Sequence, residues 1–208
     1  MEFFENILDF IFPHVCGICN KLGEGYICKK CESEIKKYLY LNVNTNLFSL
    51  LQYKGIIREK IIQYKFNDKS YLYHMLCELI LKDKNACDFL SNYDIIIPVP
   101  IHNKRKRQRG YNQSSLIAKE LAKKLCLQTY TDVLIKLEDS KPQSLLKKTE
   151  RIKNVKGVYI VKNSLKIQNK NVVILDDIYT TGATTEECKR VLMLEGAKKV
   201  GIITIAKD

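Results

Sequence analysis

Two adjacent carboxylates followed by a small-residue loop are the part of this chain best suited to chemistry. Asp176 and Asp177 come directly after an apolar run, 172–175, which has the character of a short buried strand in a parallel sheet. The loop after them contains Thr180, Thr181, Gly182, Ala183 and Thr184. Small residues at a strand-to-helix turn leave backbone N–H groups free to face an anion, and the helix N-terminus adds partial positive charge.

The acidic pair and the loop together predict a site for a ribose 5-phosphate. The phosphate would lie in the loop, and the two carboxylates would accept hydrogen bonds from the sugar hydroxyls. The alternative is a buried strand with a polar turn and no ligand. Two unpaired carboxylates beside a glycine loop serve no packing purpose, which favours the ligand site.

Four cysteines near the N-terminus have the spacing of a metal site. Cys16 and Cys19 form one C-x-x-C pair, Cys28 and Cys31 form a second, and eight residues separate the two pairs. Four thiolates arranged in this way complete a tetrahedral structural zinc site. The remaining cysteines show no pairing pattern and are expected to be free thiols; they are Cys77, Cys87, Cys126 and Cys188.

A dense run of positive charge follows the apolar segment 93–99. Five of the six residues 104–109 are Lys or Arg, and the run is expected to be a loop between a strand and a helix, where α/β sheets bind ligands. Forked arginine donors suit a pyrophosphate, although a solvated basic turn is the alternative. A second basic segment, 139–157, has little periodicity and is predicted to be a long loop, either functional or merely solvated.

The elements that position these residues alternate between strands and helices. Strands are predicted over 47–53, 93–99, 133–137, 158–161, 171–175 and 200–205. Helices are predicted over 3–12, 32–39, 56–66, 71–81, 112–125 and 186–195. This order predicts an α/β fold with a mainly parallel sheet flanked by helices. The polar break 42–46 predicts a small zinc-binding module with an amphipathic helix over 1–45 and a main domain over 46–208.

Composition narrows the class of protein. The 208 residues carry a net charge of +12, with 35 Lys and Arg against 23 Asp and Glu. This excess suggests a polyanionic partner such as nucleic acid, or only a Lys-rich and Asn-rich composition. No apolar stretch is long enough for a membrane span, and acidic residues at the N-terminus are unlike a signal peptide. We therefore expect a cytoplasmic protein.

The acidic-pair stretch resembles the signature of the type I phosphoribosyltransferases, which bind phosphoribosyl pyrophosphate (PRPP). Several motifs narrow this resemblance to the ComF-type competence proteins. They are Phe12-Pro13 before the cysteines, Tyr53-Lys54-Gly55 with Lys65, Pro98-Val99-Pro100, Arg105, Arg107, Arg109-Gly110-Tyr111-Asn112-Gln113, and Pro142-Gln143 with Arg151, Asn154 and Gly157. The resemblance covers nearly the whole chain.

The resemblance implies roles for the residues singled out above. Asp176 and Asp177 would hold the ribose hydroxyls, and the loop 180–184 would hold the 5-phosphate. Arg105, Arg107 and Arg109 would bind pyrophosphate, with Mg²⁺ accompanying PRPP. The biological role would be DNA uptake in natural transformation, beside a competence helicase and in contact with single-stranded DNA.

Three functions remain open at this point. The chain could be a DNA-uptake protein that binds PRPP, an active phosphoribosyltransferase that moves ribose 5-phosphate onto a base, or a non-enzymatic PRPP sensor. An enzyme needs side chains that read an acceptor base, and the sequence identifies none. His102, beside the basic run, is the one histidine placed for acid–base chemistry.

Overall fold

A five-stranded parallel sheet forms from the most apolar runs of the chain. In the computed structural model, which describes residues 13–23, 25–42, 44–137 and 157–208, the strand order is β1-β7-β6-β2-β3. The bounds are β1 Leu47–Gln52, β2 Ile95–Pro98, β3 Gln128–Thr129, β6 Asn171–Tyr179 and β7 Lys199–Lys207. All four neighbouring pairs run parallel, as the sequence predicts. A separate antiparallel pair joins β4, Leu134–Lys136, to β5, Tyr159–Val161.

Helices cover both faces of this sheet. They are α1 Lys29–Ile35, α2 Gly55–Phe66, α3 Leu72–Lys82, α4 Lys84–Leu90, α5 Asn103–Arg109, α6 Gln113–Leu125 and α7 Ala183–Leu194. Alternate residues of β6 enter opposite cores, because successive strand side chains point to opposite faces. Val173 and Leu175 pack in the core formed with α2, α3 and α6, whereas Val172 and Ile174 pack against α7. The structure therefore has three layers, with β6 and β7 at their centre.

Two local predictions are wrong in ways that matter for the site. The strand predicted to end at 175 continues through the acidic pair to Tyr179, because the equally long β7 pairs with it as far as Lys207. The basic run 104–109 is helical rather than a loop. His102 caps that helix by accepting a hydrogen bond from the Lys104 N–H at 3.2 Å, and Gly110, with φ of +77°, ends it.

Other boundaries differ less. Helix α7 begins at Ala183, three residues before the predicted start, so part of the phosphate loop lies in its first turn. Helix α4 was not predicted; the Asp83 side chain caps it by accepting from the Ala86 N–H at 2.8 Å. The predicted helix 3–12 and residues 139–156 of the predicted basic loop lie outside the described residues. Among the helices within the described ranges, none is long and apolar enough to cross a membrane.

The cysteine segment packs directly on α3. A Cβ atom on Gly17 would lie 2.8 Å from the Met75 sulfur, so only glycine allows this approach. The Tyr26 N–H donates to the Glu78 carboxylate at 2.9 Å, and the Tyr26 ring stacks on His74 with centroids 4.3 Å apart. The buried cysteines therefore share a core with the sheet and its helices. A domain boundary near residue 45 remains a prediction.

The contact between β7 and Tyr93 gives a test of the packing. A Cβ atom on Gly201 would overlap the buried Tyr93 phenol ring, so Gly201→Ala should lower the free energy of unfolding by about 1–3 kcal/mol, the usual effect of overpacking. Urea denaturation measures the change. Tyr93→Phe is the control, since the Tyr93 hydroxyl has no partner in the described part of the chain. Equal stability of Gly201→Ala and wild type would contradict this packing.

Candidate functional site

The carboxyl edge of β6 presents the two carboxylates in different surroundings. Asp176 lines a pocket that it shares with residues 178–185, the stretch that contains the threonine loop. Asp177 is only 8% exposed and forms an ion pair with Lys65, whose Nζ lies 2.8 Å from Oδ1. Neighbouring positions on a strand face opposite sides of the sheet, which explains this division. The structure thus places Asp176 with the loop, and Asp177 beside the end of α2.

Few groups compensate the charge of Asp176. Ser114, in the first turn of α6, donates to Asp176 Oδ1 at 3.3 Å, and the backbone N–H of Asp177 donates to the same oxygen at 2.9 Å. Burial raises the pKa of Asp176 to about 7, and the neighbouring Asp177 charge adds to the rise. Lys65 and the two hydrogen bonds act in the opposite direction without cancelling it.

The loop after β6 has the geometry of an anion site. Gly182 has φ of +74°, and a Cβ atom there would overlap the Tyr179 ring, so the turn requires glycine. The Thr185 hydroxyl donates to the Gly182 carbonyl at 3.1 Å, which holds the turn against the start of α7. The pocket contains all five residues predicted to bind the phosphate, at the positive end of a twelve-residue helix.

Helix α5 has two different faces. Arg105 and Arg109, one turn apart, are half-buried, whereas Arg107 is exposed. The Arg109 guanidinium lies 4.7 Å above the Phe66 ring and donates to Gln113 Oε1 at 3.2 Å. Burial lowers the pKa of Arg109 and the Asp177 charge opposes this, as expected of an arginine that faces the acidic pair. Arg109 therefore lies close enough to the acidic pair to feel the Asp177 charge, whereas Arg105 is half-buried one turn away and Arg107 is exposed. Their roles in pyrophosphate binding stay a prediction.

Lys65 and Phe66 are site residues that sequence reasoning did not assign. In the sequence, Lys65 belongs to a family motif without an assigned role, and Phe66 is one of the apolar positions of the predicted helix 56–66. Hydrophobic periodicity predicts a helix but not how it lies relative to other elements. It therefore could not place the end of α2 beside the carboxyl end of β6. The Nδ1 atom of His102, the acid–base candidate, is used in capping α5.

Two further residues join the neighbouring antiparallel pair to this site. Burial raises the pKa of Tyr159 on β5, and its hydroxyl hydrogen-bonds the Thr184 side chain. Glu187 on α7 accepts from the Gly157 N–H at 2.8 Å and also pairs with Arg190. These contacts fix Gly157 and Tyr159 beside the phosphate loop and the start of α7.

The four N-terminal cysteines converge as their spacing predicts. The four Sγ atoms lie within 4.8 Å of one another, and those of Cys19 and Cys28 are 3.7 Å apart. A tetrahedral zinc with Zn–S bonds of about 2.3 Å places its sulfurs about 3.8 Å apart, so the cluster could hold one such ion. Burial raises the pKa of Cys31, so holding four thiolates together requires a cation.

Comparison with known proteins assigns the fold and the family resemblance. Residues 112–208 match the phosphoribosyl transferase domain family. Competence protein ComFC of Bacillus subtilis is 28% identical over 212 residues, which cover 95% of this chain and 80% of the relative. Competence protein F of Haemophilus influenzae is 24% identical over 205 residues, covering 94% and 85%. The resemblance to the ComF family is confirmed.

Other matches agree with this ComF resemblance. DNA utilization protein YhgH of Escherichia coli is 28% identical over 159 residues, 75% of this chain and 69% of the relative. A solved adenine phosphoribosyltransferase of Trypanosoma brucei aligns with 80% of this chain and 74% of its own, at 16% identity and a TM-score of 0.44. The chain has a type I phosphoribosyltransferase fold, as predicted.

The cysteine cluster predicts the metal content of the protein. Purified protein should contain about one zinc per chain, as a four-thiolate site requires. Cys19→Ser removes one ligand and should reduce the zinc content and the melting temperature, measured by elemental analysis and calorimetry. Cys126→Ser is the matched control, because Cys126 is also exposed and lies outside the cluster. A metal-free wild type with an unchanged melting temperature would exclude the zinc site.

The surroundings of Asp176 predict how stability depends on pH. Folding raises the pKa of this carboxyl from its ordinary 3.8 to about 7, so its contribution to stability is present at low pH and is lost as pH rises to 7. Asp176→Asn should therefore stabilise the protein at pH 8, by on the order of 1–3 kcal/mol, and change little near pH 4.

Thermal unfolding at several pH values measures this effect. Asp132→Asn is the control, because Asp132 is 71% exposed and pairs only with Lys166 among the described residues. Lower stability of Asp176→Asn at pH 8 would show that the carboxylate is stabilising in the free protein, contrary to the expectation.

Proposed function

We propose that this chain is a PRPP-binding, phosphoribosyltransferase-like protein of the ComF type that acts in DNA uptake and contacts single-stranded DNA. The observation that carries the proposal is the shared pocket of Asp176, the threonine loop and the N-terminus of α7. Two further observations support it. Arg109 of α5 feels the Asp177 charge, and relatives over most of the chain are named competence proteins.

Each part of PRPP has a chemically matching group in this arrangement. The loop 180–184 would bind the 5-phosphate through backbone N–H groups and threonine hydroxyls. The carboxylates would accept hydrogen bonds from the ribose hydroxyls, and Arg105 and Arg109 would bind the pyrophosphate. Mg²⁺ bound with PRPP would neutralise part of the pyrophosphate charge, and the carboxylates are hard oxygen donors of the kind that it prefers.

The ion pair between Lys65 and Asp177 prepares the site for an anionic ligand. Lys65 is 20% exposed and Asp177 11% exposed as side chains, so the pair is held away from bulk water. When the ribose hydroxyls donate to Asp177, the lysine charge remains next to the ligand's phosphate groups. The positive charge that supports the free carboxylate therefore contributes to holding the ligand as well.

DNA would contact the outer face of α5 and the basic segment that follows β4. Lys104, Lys106 and Arg107 are exposed on α5, and the net charge of +12 favours a polyanion. The named roles of the relatives concern competence and DNA utilization, which fits a single-stranded DNA ligand. A competence helicase as partner and a cytoplasmic location belong to the same proposal.

The acidic pair gives the direct test of PRPP binding. Asp177→Asn keeps the shape of the side chain but removes charge-assisted acceptance, so PRPP binding should weaken by about 1.5–3 kcal/mol per hydrogen bond lost. Isothermal calorimetry with Mg²⁺ present measures the affinity, and Asp132→Asn is again the exposed control. Unchanged affinity in a double Asp176→Asn and Asp177→Asn variant would refute the site.

The two faces of α5 allow DNA and PRPP binding to be tested separately. Lys106→Gln with Arg107→Gln removes two exposed charges, and the salt dependence of oligonucleotide affinity should flatten by about 0.7 per lost phosphate contact. PRPP affinity should stay the same in this variant. Arg109→Gln should weaken PRPP binding instead, because Arg109 faces the acidic pair. No oligonucleotide binding by wild type at low salt would defeat the DNA part of the proposal.

Turnover of PRPP separates this proposal from an active phosphoribosyltransferase. Mass spectrometry can detect pyrophosphate released from PRPP in the presence of a panel of nucleobases. Release with one base and not with the others would assign the chain to the enzymes. Binding of PRPP without release under any condition would support a DNA-uptake protein or a sensor that uses PRPP as a ligand.

A further inference from the structure

Phe66 is an exposed aromatic side chain in an unusual place. It is the last residue of α2, and 62% of it is exposed, whereas Ile57, Ile61 and Tyr64 of the same helix are buried. A single exposed apolar residue is common on protein surfaces and by itself carries no meaning. Its neighbours are what distinguish it, because Lys65 pairs with Asp177 and Arg109 lies over its ring.

The backbone that carries Phe66 is tied to the neighbouring helix. The Tyr64 hydroxyl donates to the Gln113 carbonyl at 2.8 Å, and the Tyr111 hydroxyl donates to the Tyr64 carbonyl, so the end of α2 is tied to the start of α6. The Arg109 guanidinium, 4.7 Å from the ring centroid, is itself held by Gln113. An anchored backbone and an arginine against the ring reduce the conformational entropy that Phe66 would lose when a second planar group stacks on it.

The charges around the ring define what could stack there. Lys65, Arg105 and Arg109 lie in or beside the site that we propose for PRPP, and Lys69 follows three residues after Phe66 and contacts Gln63 at 3.2 Å. Aromatic rings set among cations that can hold phosphates are how proteins bind single-stranded nucleic acids without reading their sequence. A planar group attached to phosphates fits this combination better than a purely apolar ligand.

We propose that Phe66 is a stacking platform for a nucleobase at the mouth of the acidic-pair site. The base comes either from single-stranded DNA or from a free base that meets the ribose of PRPP. This inference rests on the proposed function, since it takes the acidic pair as the ribose site. It assigns a base-contacting residue, the element that the sequence did not reveal.

The absence of tryptophan from the chain provides a clean reporter. Phe66→Trp places the single tryptophan at the platform and keeps an aromatic ring under Arg109. Stacking of a base on this ring should quench its fluorescence. Leu194→Trp is the matched control, because Leu194 is 71% exposed and lies at the end of α7, outside the pocket residues.

Three probes distinguish the sources of the base. We expect a short oligothymidine at low salt to quench Phe66→Trp but not Leu194→Trp. An oligonucleotide of the same length with abasic positions keeps the phosphates and should not quench. Adenine or another free base that quenches only with PRPP present would make the platform an acceptor site, which also supports the proposal. Quenching by none of the probes, while oligothymidine and PRPP still bind, would overturn it.

Affinity measurements complete the test and separate it from the proposed function. Phe66→Ala should weaken oligothymidine binding roughly 5- to 100-fold, the range for loss of one base stack, and leave the salt dependence unchanged. Phe66→Tyr should retain binding, and circular dichroism checks that both variants fold. Affinity of Phe66→Ala equal to that of wild type, both for oligothymidine and for the free base in the presence of PRPP, would refute the platform alone. A wild type that binds neither oligothymidine nor PRPP would refute the proposed function together with it.

Discussion

The placement of two neighbouring carboxylates at the carboxyl edge of the central strand is the constraint on which the site depends. Because β6 stays paired with β7 through this point, Asp176 and Asp177 leave the sheet on opposite faces. Asp177 forms an ion pair with Lys65, whereas Asp176 accepts hydrogen bonds from Ser114 and the Asp177 N–H and keeps a raised pKa although the Lys65 charge also acts on it. Two charged carboxylates held so close together cost stability, which supports the proposal that the pair serves a ligand rather than packing.

Helix α3 connects this site to the cysteine cluster. On one side it contacts the cysteine segment through Met75, His74 and Glu78. On the other side it packs against α6, with the Cys77 thiol 3.7 Å from a carbonyl of that helix, and the first turn of α6 presents Ser114 to Asp176. A metal that orders the cysteine segment therefore stabilises the helix layer that positions one hydrogen-bond donor of the site.

The sequence was sufficient for the strands other than the two-residue β3 and for the pocket, and insufficient for the groups that approach from other helices. Apolar runs and the motif after 175 predict β6, the loop and the start of α7 because all of these are local. The continuation of β6 through the acidic pair was not predicted, because it depends on pairing with β7, which is a non-local interaction. Helix α5 was missed because a seven-residue run of charges has no apolar periodicity; its capping residues, His102 and Gly110, were the available signal.

The two faces of α5 change how the basic run is understood. Read as a loop, its cations form a single patch for which pyrophosphate and DNA would compete. As a helix, it directs Arg105 and Arg109 inward and leaves Arg107 with the neighbouring lysines outside. Under the proposed function, pyrophosphate and DNA would then use different cations of one helix and would not compete for the same contacts. A pyrophosphate bound on the inner face would still lower the positive potential that attracts DNA, and salt would screen this effect, since the Debye length is only about 8–10 Å near physiological ionic strength.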